Sequence, residues 1–170
     1  MTELLTPRLL LRPFHPDDFE AHARICGDAE VMKYIRAGAL SREDSWWQLA
    51  RYLGHWQLRG YGCWAVVERS SSALIGHLGF FHAEGGHGLE FGWALAREAW
   101  GRGYALEGTL AAKEHGFSVL GFTKLLCLIR PENERSLRLA ERLGAEAAGE
   151  TIDEKGERLL VRSLRPIPGS

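Results

Sequence analysis

Long apolar runs are missing from this chain. No stretch approaches the roughly 20 uncharged residues that a membrane-spanning helix needs. The first residues, Met1-Thr2-Glu3-Leu4-Leu5-Thr6-Pro7, lack a basic start followed by an apolar core, so no secretory leader is expected. Cysteine is scarce as well: Cys26, Cys63 and Cys127 are odd in number, far apart and without a Cys-x-x-Cys pair. That argues against a disulfide framework or a structural zinc and for a reducing compartment. An excess of one charge sign is also missing, with 21 Lys and Arg against 22 Asp and Glu. Without a broad basic field, neither nucleic acid nor an anionic membrane is an expected partner. These absences predict a soluble, cytoplasmic protein acting on a small molecule or peptide. Its 170 residues suffice for one domain, 1–170, that removes roughly 70% of its extended-chain surface from water. No repeat or low-complexity linker divides it.

What is present is a succession of strand and helix signals. Arg8-Leu9-Leu10-Leu11-Arg12 reads as a short apolar strand, and Pro16-Asp17-Asp18 suits the first turn of a helix running to about Gly27. Ser41-Arg42-Glu43-Asp44 resembles a capping box, and Trp46, Leu49, Ala50, Leu53 and Trp56 recur at helical spacing until Gly60 stops the run. Cys63 to Glu68, Ala73 to Phe80 and Leu89 to Leu95 are strand-like. Ser70-Ser71-Ser72 and Glu84-Gly85-Gly86-His87-Gly88 are turn compositions between them, which predicts an antiparallel meander. A helix follows from near Gly103 to Val119, then a buried strand from Lys124 to Ile129 and a helix from Asn133 to Leu143 closed by Gly144. A last strand, Arg158 to Leu164, comes after the turn Asp153-Glu154-Lys155-Gly156. The order predicts an α/β fold of the α+β sandwich kind.

The most informative segment is Trp100-Gly101-Arg102-Gly103-Tyr104-Ala105, between the last strand of the meander and the following helix. Two glycines allow a tight backbone turn, and the helix start offers free N–H groups and a positive dipole end to an anion. This is the composition of a pyrophosphate cradle.

With these elements in this order, the chain resembles the GCN5-related N-acetyltransferase (GNAT) family over nearly its whole length. Three segments carry the likeness: Thr6-Pro7-Arg8-Leu9-Leu10-Leu11-Arg12-Pro13, Trp100-Gly101-Arg102-Gly103-Tyr104-Ala105-Leu106-Glu107, and Asn133-Glu134-Arg135-Ser136 followed by Leu143-Gly144. Together they look like the ribosomal-protein N-acetyltransferase (RimJ/RimL-type) branch. The resemblance implies a GNAT fold: a mixed, mostly antiparallel central sheet with helices on both faces. It also implies acetyl-CoA as donor and a primary amine as acceptor, either a protein N-terminus or a small amine, with direct transfer in a ternary complex and no metal.

The family cradle, Gln/Arg-x-x-Gly-x-Gly/Ala, falls on Trp100 to Ala105, with Trp100 departing from the usual first residue. By resemblance, Gly101, Arg102, Gly103, Tyr104, Ala105 and Leu106 hold the pyrophosphate, and Arg97 and Arg102 are placed to add charge. Trp93, Ala94 and Leu95 belong to the strand whose backbone edge pairs with the pantetheine amides, and Asn133 holds the other side of that arm. Glu90 is the candidate general base, acting through water. Ser136 is the candidate proton donor to the leaving thiolate, because the tyrosine that many members carry four residues later is Ala140 here. A backbone N–H near Trp93 or Ala94 would bind the oxyanion, its identity depending on a strand bulge.

Plainer readings stand beside these. Gly-x-Gly before a helix is often only a tight connection. Glu90 would equally suit an outward strand position paired with an arginine, Asn133 is a good N-cap, Ser136 can bond nearby backbone, and the helix dipole alone accounts for Glu107. His77, His82 and His87 invite a metal reading but lack a ligand pattern. Trp46, Trp47 and Trp56 read as core, with Trp47 off the main stripe and available to an acceptor pocket. Two other classes remain: a non-catalytic acyl-CoA-binding module, and a dinucleotide-binding oxidoreductase suggested by Gly103-x-Ala105-x-x-Gly108 but opposed by the missing βαβ repeat. An apolar edge or helix face is available for a homodimer.

Overall fold

A computed structural model describes residues 2–35 and 38–166. In chain order its elements are β1 (Leu4–Leu5), β2 (Leu9–Arg12), α1 (Phe19–Gly27), α2 (Ala29–Met32), α3 (Arg42–Arg59), β3 (Cys63–Glu68), β4 (Ala73–Phe81) and β5 (Glu90–Leu95). They continue with α4 (Tyr104–Ser118), β6 (Leu125–Ile129), α5 (Glu134–Arg142), β7 (Glu146–Ile152) and β8 (Arg158–Leu164). The strands form a single sheet in the order β1-β2-β3-β4-β5-β6-β8-β7.

Helix boundaries follow local chemistry. The Ser41 side chain accepts the Asp44 N–H and caps α3, and Gly60, at φ +75°, ends the helix in the left-handed region that a side chain disfavours. The helix expected from Pro16 to Gly27 is instead a 3-10 turn, Pro16–Asp18, followed by α1. There the Asp18 carboxylate is held by both terminal nitrogens of Arg12, at 2.7 and 2.8 Å, and by the His15 N–H. Desolvation opposes the charge of Asp18, but these donors outweigh it and hold the carboxyl below its ordinary value.

The expected meander forms: β3, β4 and β5 pair antiparallel, from Cys63↔Gly79 through Glu68↔Ala73 and from Gly76↔Leu95 through Phe81↔Glu90. Two strands and one short helix carried no sequence signal. β7, Glu-Ala-Ala-Gly-Glu-Thr-Ile, is an almost fully exposed edge strand whose partner β8 supplies the register. β1 and α2 are too short for a periodicity to show.

Strand alternation sends side chains to two cores. Trp64 and Val66 of β3 join Leu9, Leu11, Leu78, Phe80, Ala112 of α4 and Leu139 of α5, while Cys63 and Ala65 join Phe14, Ile25 of α1, and Leu49 and Tyr52 of α3. Helices therefore cover both faces of a mixed, mostly antiparallel sheet. Trp56, read as core, is buried and donates its indole N–H to Cys63 O at 2.8 Å; Trp46 is exposed, against that reading. No helix among the described residues is long and apolar enough to cross a membrane.

One pair of neighbouring strands runs parallel. β5 and β6 are joined by the α4 crossover and register only at Glu90↔Leu126, where the Leu126 N–H donates to Leu89 O at 2.9 Å. Beyond that point they have no paired residues, and the sheet opens. The position of β5 depends on Gly76, where an added Cβ would lie 2.4 Å from Ala94 O and 2.4 Å from Leu95 Cδ2. Gly76→Ala is therefore expected to cost about 1–3 kcal/mol through overpacking. A lowered urea midpoint at unchanged m would show it, and an unchanged midpoint would refute the tight β4–β5 contact.

Candidate active site

The opening between β5 and β6 leaves backbone groups of β5 unpaired, and the register identifies them. The Ala96 N–H donates to Ile75 O of the β4 side at 2.8 Å, so by antiparallel alternation Ala94, Gly92 and Glu90 also turn their main chain toward β4. Phe91, Trp93 and Leu95 turn theirs to the open side. Leu95 O accepts the Trp100 indole N–H at 2.8 Å. The N–H groups of Trp93 and Leu95 and the carbonyl of Trp93 face the gap, whereas the Ala94 amide is directed to β4. The β4–β5 ladder runs without a bulge, and the irregularity expected near the site lies between β3 and β4 at Val66/Val67.

A cleft of about 1,020 Å³ follows this edge. It is lined by Trp93, Ala94, Leu95, Gly101, Gly103, Tyr104, Ala105, Leu106, Asn133 and Ser136, so ten residues picked from distant sequence segments meet on one surface. Gly101 and Gly103 have φ of +73° and +80°, and Gly103 is the N-cap of α4. The first-turn N–H groups of α4 have no carbonyl four residues earlier within the helix and point along its axis into the cleft end.

Arg102 and Arg97 are placed differently from expectation. The Arg102 guanidinium lies 3.0 Å from Glu68 and stacks 4.8 Å from the Tyr104 ring centre, and Arg97 pairs with Asp28 at 2.6 Å. Neither lines the cleft. The basic residues that do are Arg135, Arg138 and Arg142, at helical spacing on α5, with Lys33 opposite. Arg135 stacks 4.2 Å over Trp100. The i, i+3, i+7 pattern was visible in the sequence, but only the placement of α5 shows which way it faces.

The turn before α4 is fastened from the N-terminal segment. Glu107, one turn into α4, accepts the Thr6 hydroxyl at 2.7 Å, the Arg8 N–H at 2.8 Å and the Arg8 Nε–H at 2.6 Å. Partial desolvation works against its charge, yet these donors hold its carboxyl below the ordinary value. Arg8 also donates to Arg102 O at 2.8 Å and covers the Tyr104 ring. The Tyr104 hydroxyl donates to Glu68, which the Ser71 and Tyr104 hydroxyls and Arg102 hold below the usual carboxylate range. Glu107 is thus a clamp between two motifs about a hundred residues apart, beyond what a helix-dipole reading implies.

On the other side of the opening lies a second cleft of about 1,000 Å³, lined by Tyr34, Trp47, Phe81, Glu90, Asp153 and Glu154 among others. Trp47 reaches it, as its position off the stripe suggested. Tyr34, Ile35, Trp93, Asn133 and Ser136 line both clefts, which therefore adjoin at these residues. The Trp93 indole N–H donates to Ser136 Oγ at 3.3 Å, setting that hydroxyl at the junction. Asn133 caps α5, its Oδ1 accepting the Ser136 N–H at 3.2 Å. Ala140 is fully buried and contributes nothing to the junction.

The family model described as Acetyltransferase (GNAT) domain matches residues 8–146. The chain belongs to the GNAT acetyltransferase family. It is 31% identical over 146 residues, 86% of this chain and 84% of the relative, to the uncharacterized N-acetyltransferase YnaD of Bacillus subtilis (strain 168). The crystal structure of the acetyltransferase from Agrobacterium tumefaciens str. C58 shares 26% identity and a TM-score of 0.88, covering 98% of this chain and 95% of that one. Spermidine N-acetyltransferase from Vibrio cholerae, solved with CoA and spermine, shares the fold at a TM-score of 0.78 and 20% identity, covering 94% and 96%. The mostly antiparallel GNAT sheet rules out the doubly wound dinucleotide-binding alternative.

Within this GNAT chain the histidines group differently from the sequence expectation. His82 donates its N–H to His55 Nε2 at 2.9 Å, and His77 turns inward beside His22, ring centres 5.5 Å apart. Burial lowers the pKa of His22 to about 4 and of His77 to about 3, which keeps both imidazoles neutral at pH 7. His77 Nδ1 is the one fully buried side-chain nitrogen or oxygen among the described residues without a hydrogen-bond partner.

The clamp makes a stability prediction. Glu107→Ala strands the Thr6 and Arg8 donors and is expected to lower the unfolding free energy by about 1–3 kcal/mol. Thermal unfolding of the variant measures this; wild-type stability would show that the clamp is dispensable.

Proposed function

We propose that this enzyme transfers an acetyl group from acetyl-CoA to a primary amine by direct transfer in a ternary complex, in the manner of the RimJ/RimL-type branch. The observation that carries the reading is the meeting of two clefts at Trp93, Asn133 and Ser136, one of them ending on the helix start of α4. The donor fits the residues present. The N–H groups from Arg102 to Leu106 suit a pyrophosphate, Arg135, Arg138 and Arg142 supply cations for its phosphates, and the unpaired edge of β5 suits the amides of a pantetheine arm. Bound there, the donor supplies a thioester carbonyl at the junction.

The chain's own groups then divide the chemistry. Glu90, at the first position of β5 in the second cleft, takes the amine proton through water. The outward N–H of Trp93 meets the developing oxyanion, in preference to the Ala94 N–H, which serves the β4 ladder. Ser136 Oγ, oriented by the Trp93 indole, gives its proton to the leaving thiolate and regains one from the cationic amine nitrogen of the collapsing intermediate. The aromatic walls at Tyr34, Trp47 and Phe81 exclude water around the acceptor, a protein N-terminus or a small amine.

Calorimetric titration with acetyl-CoA, followed by thiol release against a panel of amines and N-terminal peptides, tests the reading. Stoichiometric binding with amine-dependent release is expected; no binding would overturn it. Valine at position 103 conflicts with the φ of +80° and crowds Arg8, so Gly103→Val is expected to weaken donor binding about ten-fold or more, which corresponds to ~1.4 kcal/mol. Undiminished affinity in the folded variant would move the pyrophosphate elsewhere. Glu90→Gln is expected to shift the pH–rate profile to higher pH and Ser136→Ala to slow turnover at unchanged donor affinity. Profiles and rates like those of wild type would remove these residues from their roles.

A further inference from the structure

The inward face of α1 and the middle of β4 bring together three potential metal ligands that are scattered in the sequence. A ring nitrogen of His22, Cys26 Sγ and a ring nitrogen of His77 lie within 4.8 Å of one another, and all three residues are buried. His22 and Cys26 stand one helical turn apart on the same face of α1, and His77 meets them from the sheet. Cys26 Sγ is 3.6 Å from the nearer nitrogen of His22. Zinc bond lengths of about 2.3 Å to sulfur and 2.0–2.1 Å to nitrogen, at a tetrahedral angle, place sulfur and nitrogen about 3.6 Å apart. The widest of the three separations closes by about an ångström to reach such a geometry.

Two further observations point to a ligand. His77 Nδ1 is buried with no partner, although buried imidazole nitrogens are ordinarily hydrogen-bonded. Gln48 Oε1 lies 3.1 Å from Cys26 Sγ and accepts its thiol proton, so an oxygen donor from α3 stands next to the three ligands. Gln48 and His77 both line the cleft that holds Glu90, which gives a cation access to an otherwise closed core.

We propose that His22, Cys26 and His77 form a structural zinc site, with Gln48 Oε1 beside the fourth position. Two imidazoles and one thiolate suit zinc rather than magnesium or calcium, which take oxygen ligands. On binding, the Cys26 S–H bond breaks, the sulfur electron pair forms the Zn–S bond, and one proton leaves to solvent. The bound ion ties α1 to β4 and sits against α3, bracing the floor of the second cleft. The spacing of cysteines argued against structural zinc; a single cysteine with two histidines from different elements leaves no such spacing to read.

The test uses the untagged full-length chain, stripped with a chelator, dialysed and titrated with Zn²⁺. One ion per chain and a rise in the unfolding midpoint with added Zn²⁺ are expected. Co²⁺ in its place should give visible ligand-field bands and a near-ultraviolet thiolate-to-cobalt band. Cys26→Ser should abolish the thiolate band and weaken Zn²⁺ binding about ten-fold or more, and His77→Asn should weaken it similarly. A wild-type midpoint unmoved by excess Zn²⁺, or a Co²⁺ complex without a thiolate band, overturns the proposal. So does undiminished affinity in both variants, which would place the ion on surface residues such as His82 or His87. Should a variant lose its far-ultraviolet circular dichroism, the wild-type cobalt spectrum decides alone.

Discussion

The separation of β5 from β6 is the constraint on which the rest of the site depends. Two parallel strands that register only at Glu90↔Leu126 leave one edge of β5 with backbone groups that the sheet does not satisfy. In a closed sheet those groups would be ladder bonds. Here they line a gap, and the two clefts share Trp93, Asn133 and Ser136 beside it. The β4–β5 ladder is pressed close at Gly76, and α5 is anchored by Leu139 and Ala140 in the core while its other residues line the cleft.

The cradle at the start of α4 is held from outside itself. A glycine loop with two left-handed residues has little rigidity of its own, because glycine gives up more conformational freedom on folding than any other residue. Glu107 binds it to Thr6 and Arg8, Tyr104 to Glu68, and Arg102 to the same carboxylate, while Arg8 and Arg102 both stack on the Tyr104 ring. Arg102, which looks like a phosphate ligand in the sequence, therefore serves to fix the loop, and Arg97 is engaged by Asp28. The cations on the cleft are instead Arg135, Arg138 and Arg142 of α5, with Lys33. The helix α5 also carries Ser136 and is capped by Asn133, so its three arginines and the Ser136 hydroxyl are positioned by one rigid element.

The two faces of the sheet differ in chemistry. The face covered by α4 and α5 is dominated by aromatic and aliphatic packing, with the Phe80 ring against both Trp64 and Phe91. The face under α1 and α3 carries His22, Cys26, Tyr52, Cys63 and His77 in its interior. Polar groups in such a place need partners. His22 lies beside Cys26, whose thiol donates to Gln48, whereas His77 Nδ1 is left without one.

Much of this protein was legible in its residues, for local reasons. The meander from Cys63 to Leu95 follows from short, largely apolar runs bounded by turn-forming serines and glycines. The Ser41 and Asn133 caps and the Gly60 stop follow from side-chain and backbone chemistry within a few residues. The turn at Gly101 and Gly103 was legible because positive φ and a helix start leave a glycine signature. β7 was not, since an exposed edge strand of small and charged residues has no buried face to impose a pattern. Nor were the directions of Arg97 and Arg102, the side of β5 on which Trp93 and Ala94 offer their N–H groups, the clamp at Glu107, or the grouping of His77 with His22 and Cys26. Those are set by which strands pair, in which register, and where they part. Secondary structure and the glycine turn before α4 are properties of neighbouring residues, and the sequence by itself determines them; the site is a set of distances between residues far apart in the chain, and only tertiary packing decides those.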